Sequence, residues 1–386
     1  MKRDILLSLF VSLLALSVGG VILWWIGQRS RELPADLKVV KLSEEVMPFY
    51  ENVFADAPLN SQEILLSDPI LGIRGKPFLS TFKGIGPHDS LGFRNEATPR
   101  VADLVTIGDS QTYGNNVLLS DSWPKVVESS LRERGLRVYD MSTGGWSIPQ
   151  YLYTLRKSLA FQPRAAVVAI YTGNDLYETF RTVYSIEYWR RYATDTSLSL
   201  EDLPPLSFPQ PPSEIETLSF PGGYKTKISP RHRLSSNDRL NKAILAALSI
   251  AKRMIAEMSE FAAKNPQTKV FITIIPTKEF VYSEEVRSRG VKVSADYTAL
   301  IASERENLQE LRKSVEGYPD LNYVDLLPAL FAAVNARSRK SSALLGKGMA
   351  IRSNFLFKDG TMVRTFPSKI IILSPHLFNS TFCKAY

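Results

Sequence analysis

Three residues at the ends of apolar runs have the types that acyl chemistry needs: Ser110, Gly145 and Asn174. Ser110 lies in Ile107-Gly108-Asp109-Ser110-Gln111-Thr112-Tyr113-Gly114, directly after the apolar run 101–107. Gly145 lies in Thr143-Gly144-Gly145-Trp146, and Asn174 in Thr172-Gly173-Asn174-Asp175. Ester cleavage or acyl transfer requires a nucleophile, a base for its proton, and donors for the oxyanion of the tetrahedral intermediate. A serine hydroxyl on a strand-end turn suits the first role. The backbone N–H groups of Ser110 and Gly145 and the side-chain amide of Asn174 suit the third, since glycine allows close backbone approach and an amide donates without titrating. Each residue also has an ordinary structural use: a helix N-cap for Ser110, a tight turn for Gly145, an Asx turn for Asn174.

Strands must carry these residues to one edge. The run 101–107 and the run 165–171 predict buried parallel strands, with a shorter strand over 137–141 between them. Helices are predicted over 122–134, with Ser122 as N-cap and Gly135 as stop, and over 149–161. Seven prolines between 204 and 230 make the segment 196–235 a surface excursion. The alternation then resumes with a helix over 237–264, a strand over 269–275, a helix over 295–315 and a strand over 321–326. The pattern predicts a three-layer α/β/α sandwich around a parallel, doubly wound sheet, whose ligands bind at the carboxyl ends of the strands.

With serine, glycine and asparagine in this order, the chain resembles the SGNH or GDSL-type hydrolase superfamily. Gly108-Asp109-Ser110 matches the first block, Gly145 the second and Gly173-Asn174-Asp175 the third. The N-terminal apolar segment and Pro276-Thr277-Lys278-Glu279 resemble the membrane-bound group related to polysaccharide O-acetylation proteins. The resemblance implies an SGNH/flavodoxin-like fold, a Ser110 acyl-enzyme, Gly145 and Asn174 as oxyanion donors, and no metal or organic cofactor. It also implies a final block in which Asp359 orients a histidine base. Here that block reads Asp359-Gly360-Thr361-Met362, and the histidine is missing. Neither a hydroxyl nor a thioether can replace it as a base near neutral pH. Two accounts remain open. One of the three histidines, His88, His232 or His376, fills the gap; or the gene slips one nucleotide after Gly360, a frame whose degenerate codons permit His-Asn-Gly-Pro-Asn-Val there.

The 386 residues divide as a cytoplasmic tip over 1–4, a transmembrane signal-anchor over 5–26, a linker and N-terminal segment over 27–100, the α/β domain over 101–360 and a basic tail over 361–386. Ile5 to Ile26 is uncharged and ends in Trp24-Trp25, long enough to cross ~30 Å of hydrocarbon. That places the α/β domain on the extracytoplasmic side, with the lipid bilayer as a partner. Arg337 to Tyr386 carry nine Lys/Arg against one acid, Asp359, which accounts for the whole net charge of +8. No aromatic interleaving or motif makes that tail a nucleic-acid surface. A single cysteine, Cys383, excludes an intrachain disulfide and a cysteine-based zinc site. The expected function is a membrane-anchored serine esterase or O-acyl (acetyl) transferase acting on small acyl esters or O-acetylated cell-surface glycans. The alternative is a non-catalytic glycan-binding or assembly protein that keeps the same fold without the activating base.

Overall fold

The computed structural model describes residues 65–80, 86–115, 117–206, 211–221, 223–335, 357–358 and 361–362. The described chain enters through an antiparallel hairpin, β1 (Leu65–Asp68) and β2 (Gly72–Gly75), whose turn is held by Asp68 Oδ1 accepting the N–H groups of Ile70 and Leu71, both at 2.8 Å. Strands and helices then alternate: β3 (Leu104–Ile107), α1 (Ser110–Tyr113), α2 (Trp123–Leu131), β4 (Val138–Asp140), α3 (Ile148–Ser158), β5 (Ala165–Tyr171) and α4 (Asp175–Ser185). A second hairpin, β6 (Glu216–Ser219) and β7 (Lys225–Ile228), leads to the short α5 (Pro230–Leu234). The remainder runs α6 (Lys242–Lys264), β8 (Lys269–Ile275), α7 (Lys278–Val281), α8 (Ser283–Ser288), α9 (Ala295–Glu316) and β9 (Leu321–Val324).

Five of these strands form one parallel sheet in the order β4-β3-β5-β8-β9. Counted along the chain that order is 2-1-3-4-5, the flavodoxin-like arrangement. The chain leaves β3 toward β4 on one side and returns to β5 on the other, so the gap between the carboxyl ends of β3 and β5 is the topological switch point. β5 is buried at every position and β8 at six of seven, as central strands covered on both faces must be. Right-handed crossovers put α2 on one face and α3, α6 and α9 on the other, and α6 packs against both α3 and α9.

The expected doubly wound parallel sheet is present, with several boundaries moved. The predicted strand over 101–107 shortens to four residues, because the N–H of Ala102 bonds Phe161 and that of Asp103 bonds Arg137 outside the ladder. The helix predicted from residue 237 starts at Lys242; Asn237 instead donates to the carbonyl of Thr172 at 2.9 Å and Asn241 caps the helix. The proline-rich excursion contains β6, β7 and α5, which its sequence did not reveal. In the segment expected as a linker and N-terminal region, residues 65–80 and 86–100 pack into the body: Trp146 Nε1 donates to Ile73, Trp189 Nε1 to Ile70 and Gln150 Nε2 to Leu71. Among the described residues no helix is long and apolar enough to cross a membrane, and the Ile5–Ile26 segment lies outside them.

Candidate active site

The serine turn is built to tight steric limits. A Cβ on Gly108 would lie 2.1 Å from Thr112 Oγ1, so only glycine lets the chain turn from β3 into α1. Asp109 caps α1, its Oδ1 accepting the N–H of Gln111 at 2.8 Å. Gly114 ends the helix in the left-handed conformation at φ +78°, its N–H returning to the Ser110 carbonyl. Ser110 is half-buried, and its hydroxyl donates to Asp109 Oδ2 at 3.1 Å. Burial pushes the fully enclosed Asp109 carboxyl up to about 6, against the opposing pull of its donors and of the Arg233 charge.

A buried arginine that sequence reasoning missed fixes the far side of this turn. Arg94, 1% exposed, donates to the carbonyls of Gly86 (3.0 Å), Tyr113 (3.0 Å), Gly114 (2.5 Å) and Val117 (2.8 Å). Nothing in the local sequence distinguishes it from a surface arginine.

At the end of β4, Gly144 and Gly145 form a turn. The Cα of Gly144 faces the serine: a Cβ there would come within 3.7 Å of Ser110 Cβ and 3.4 Å of Asn115 Nδ2. Gly145, the residue singled out from sequence, has φ +83°, and its Cβ position faces Ile73 at 3.3 Å. The turn is therefore beside Ser110, with Gly144 providing the open approach and Gly145 the left-handed backbone that makes the turn.

Beyond β5, Asn174 is the N-cap residue of α4, its carbonyl accepting the N–H of Glu178. Its side-chain Oδ1 is buried without a hydrogen-bond partner among the described residues. Gly173 before it has no room for a side chain, since a Cβ would meet the Tyr171 ring at 2.2 Å. Arg233 of α5 donates to the Gly173 carbonyl at 3.2 Å and its guanidinium lies 5.6 Å from the centre of the Tyr171 ring. The excursion thus returns to the strand ends and places a cation beside the serine turn.

Two buried carboxyls stiffen the same edge. Asp175 accepts the N–H of Tyr171 at 2.8 Å and the hydroxyl of Tyr151 at 3.0 Å, and burial together with the Asp109 charge holds it well above the usual carboxylate range. Glu304 of α9 accepts the Thr172 hydroxyl at 2.5 Å, the Thr277 N–H at 2.7 Å and the Thr277 hydroxyl at 2.5 Å, tying the ends of β5 and β8 together. Burial pushes it up to about 7.

His88 is 4% exposed and committed on both nitrogens, Nδ1 to the Lys76 carbonyl at 2.9 Å and Nε2 to the Tyr113 hydroxyl at 2.6 Å. Since the Lys76 carbonyl can only accept, Nδ1 carries the proton; burial lowers the pKa of the ring, and the neutral Nε2 then accepts the Tyr113 hydroxyl, leaving no lone pair for Ser110. His232 sits beside Arg233 on α5, with Nδ1 buried and without a partner among the described residues. Neither makes a hydrogen bond to the Ser110 hydroxyl. Asp359, His376 and the basic tail beyond Met362 lie outside the described residues; Phe357–Lys358 pair with Thr361–Met362 as a two-residue antiparallel ladder. Among the described residues no group of His, Cys, Asp and Glu could hold a metal ion.

No protein-family model matches the chain, and no curated protein does. Among solved structures it is similar to two variants of the esterase AlinE4, each at 14% identity and a TM-score of 0.32, over 66% of this chain and 99% of theirs. It is also similar to an extracellular lipase from Streptomyces rimosus, at 14% identity and a TM-score of 0.29, over 59% of this chain and 82% of the lipase.

Proposed function

We propose that the chain is an SGNH-type serine esterase or O-acyl transferase, acting on a small acyl ester, with acetyl esters of cell-surface glycans as the substrate class. The observation that carries this reading is the placement of Ser110 at the topological switch point, its hydroxyl held by Asp109 Oδ2 and Gly144 of the neighbouring turn facing it, with Asn174 at the end of the adjacent strand β5. In this reading the Ser110 oxygen attacks the acyl carbonyl and the alcohol leaves. The N–H groups of Ser110 and Gly145 and the amide of Asn174 stabilise the oxyanion, each donor of this kind being worth about 3 kcal/mol where measured. Water or a sugar hydroxyl then takes the acyl group. The segment Ile5–Ile26 would anchor the enzyme in the membrane with the α/β domain outside the cytoplasm. The test is covalent: a fluorophosphonate probe should form one adduct, on Ser110. Glycan binding without an adduct would favour the non-catalytic reading.

A further inference from the structure

We propose that Asp109 is the general base for Ser110, its Oδ2 taking the hydroxyl proton directly as the serine oxygen attacks. The proposal rests on the reading of Ser110 as a nucleophile and supplies it with a base from among the described residues.

Among the described residues, Asp109 is the titratable group that hydrogen-bonds the Ser110 hydroxyl, at 3.1 Å, within reach of proton transfer. Its other oxygen accepts the Gln111 N–H at 2.8 Å, which orients the carboxylate with Oδ2 toward the serine. His88 has both nitrogens engaged elsewhere.

The surroundings divide two adjacent carboxyls into different roles. Asp175 on α4 is committed to Tyr171 and Tyr151, makes no hydrogen bond to the serine, and is pushed well above the usual carboxylate range by burial and by the Asp109 charge. Asp109 is also buried, but the donors Gln111 and Ser110 and the Arg233 charge favour its ionised form, so it titrates near 6 and is the anion at neutral pH. The titratable groups that face it are Asp175 and Glu178 from α4, Tyr151 from α3, Tyr171 from β5 and Arg233 from α5. Environments that push paired carboxyls apart in this way mark the acid and the base.

The step balances without a histidine. The Ser110 oxygen bonds to the acyl carbon, the carbonyl π pair moves to oxygen, and the hydroxyl proton passes to Asp109. Collapse re-forms the carbonyl and breaks the bond to the leaving alkoxide, which takes the proton from Asp109 and departs as alcohol. In deacylation Asp109 accepts a proton from the attacking water or sugar hydroxyl and returns it to Ser110. Arg233, 5.6 Å from the Tyr171 ring and bonded to Gly173, keeps a positive charge beside the carboxylate throughout.

The experiment is the rate of fluorophosphonate labelling of Ser110 in the full-length chain from pH 4.5 to 9, for the wild type and Asp109→Asn. Asparagine retains the acceptor for the Gln111 N–H, and Asp109→Ser serves as a second variant that keeps a cap. The expected wild-type rate falls about tenfold per pH unit below about 6. Asp109→Asn should label about 10²–10⁴-fold more slowly at pH 7 and lose that acid limb. A wild-type profile without the limb, or a folded variant that labels at the wild-type rate or keeps the limb, overturns the assignment while leaving Ser110 as a nucleophile. Absence of any Ser110 adduct at every pH overturns the nucleophile reading itself, and the base with it.

Discussion

Glu304→Gln isolates one buried carboxyl whose ionisation the fold opposes. Glu304 is enclosed where β5 and β8 end, and burial raises it from an ordinary 4.5 to about 7 despite three donors from Thr172 and Thr277. A folded-state value above the unfolded one means the folded chain binds the proton more tightly. Its contribution to stability is therefore fully present below about pH 4.5 and is lost as pH rises through about 7. A gap of 2.5 units, at 1.36 kcal/mol per unit, is worth about 3 kcal/mol across that window. Glutamine has the same shape, keeps an oxygen for the threonine donors, and cannot ionise. The stability of Glu304→Gln relative to the wild type should therefore rise by about 3 kcal/mol between pH 4.5 and pH 8. Equilibrium urea unfolding of both proteins at pH 4.5, 6, 7 and 8 measures that difference, and the contributions of Asp109 and Asp140, which also titrate near 6 and 7, cancel in it. A difference that stays flat or falls with pH would mean that the three hydrogen bonds outweigh desolvation and that the carboxylate is charged in the fold at all these pH values.

Two substitutions separate the roles of the paired glycines. Gly145→Ala places a side chain at φ +83° and should cost about 1–2 kcal/mol in thermal or urea unfolding. Gly144→Ala meets its neighbours at ordinary contact distance and should leave stability within about 0.5 kcal/mol while slowing probe labelling of Ser110, because the new methyl stands beside the nucleophile. Arg94→Met removes the donors of four carbonyls around the serine turn and should cost more than about 3 kcal/mol by urea unfolding; a loss below about 1 kcal/mol would mean that those carbonyls find other partners.

The parts of the fold that could be read in the sequence are those where burial leaves a continuous apolar run. Ala165–Tyr171 and Lys269–Ile275 fall on their predicted bounds because both faces of each strand are covered. The hairpin of β6 and β7 escaped notice because each strand has a single buried position and Lys225 and Lys227 punctuate the second. The helix before β8 begins five residues later than its sequence pattern predicts because Asn237, which looks like a cap, is bonded to Thr172 and Asn307 across the fold. At the site, the order of serine, glycine and asparagine after successive strands was visible as local turn chemistry. Which glycine faces the serine was not, since that depends on the direction of the backbone at φ +83°. Arg94, Arg233 and Glu304 were invisible for a related reason: each acts through partners distant in sequence. His88 is a candidate base by residue type alone; its two partners, Lys76 and Tyr113, take it out of that role.

The central claim is that Ser110 is an activated nucleophile, and covalent trapping tests it most directly. After incubation of the full-length chain with a fluorophosphonate at neutral pH, intact mass and peptide mapping should show one adduct on the peptide containing Ser110, absent from Ser110→Ala. No adduct on the folded protein, or an adduct that persists in Ser110→Ala, would contradict the account.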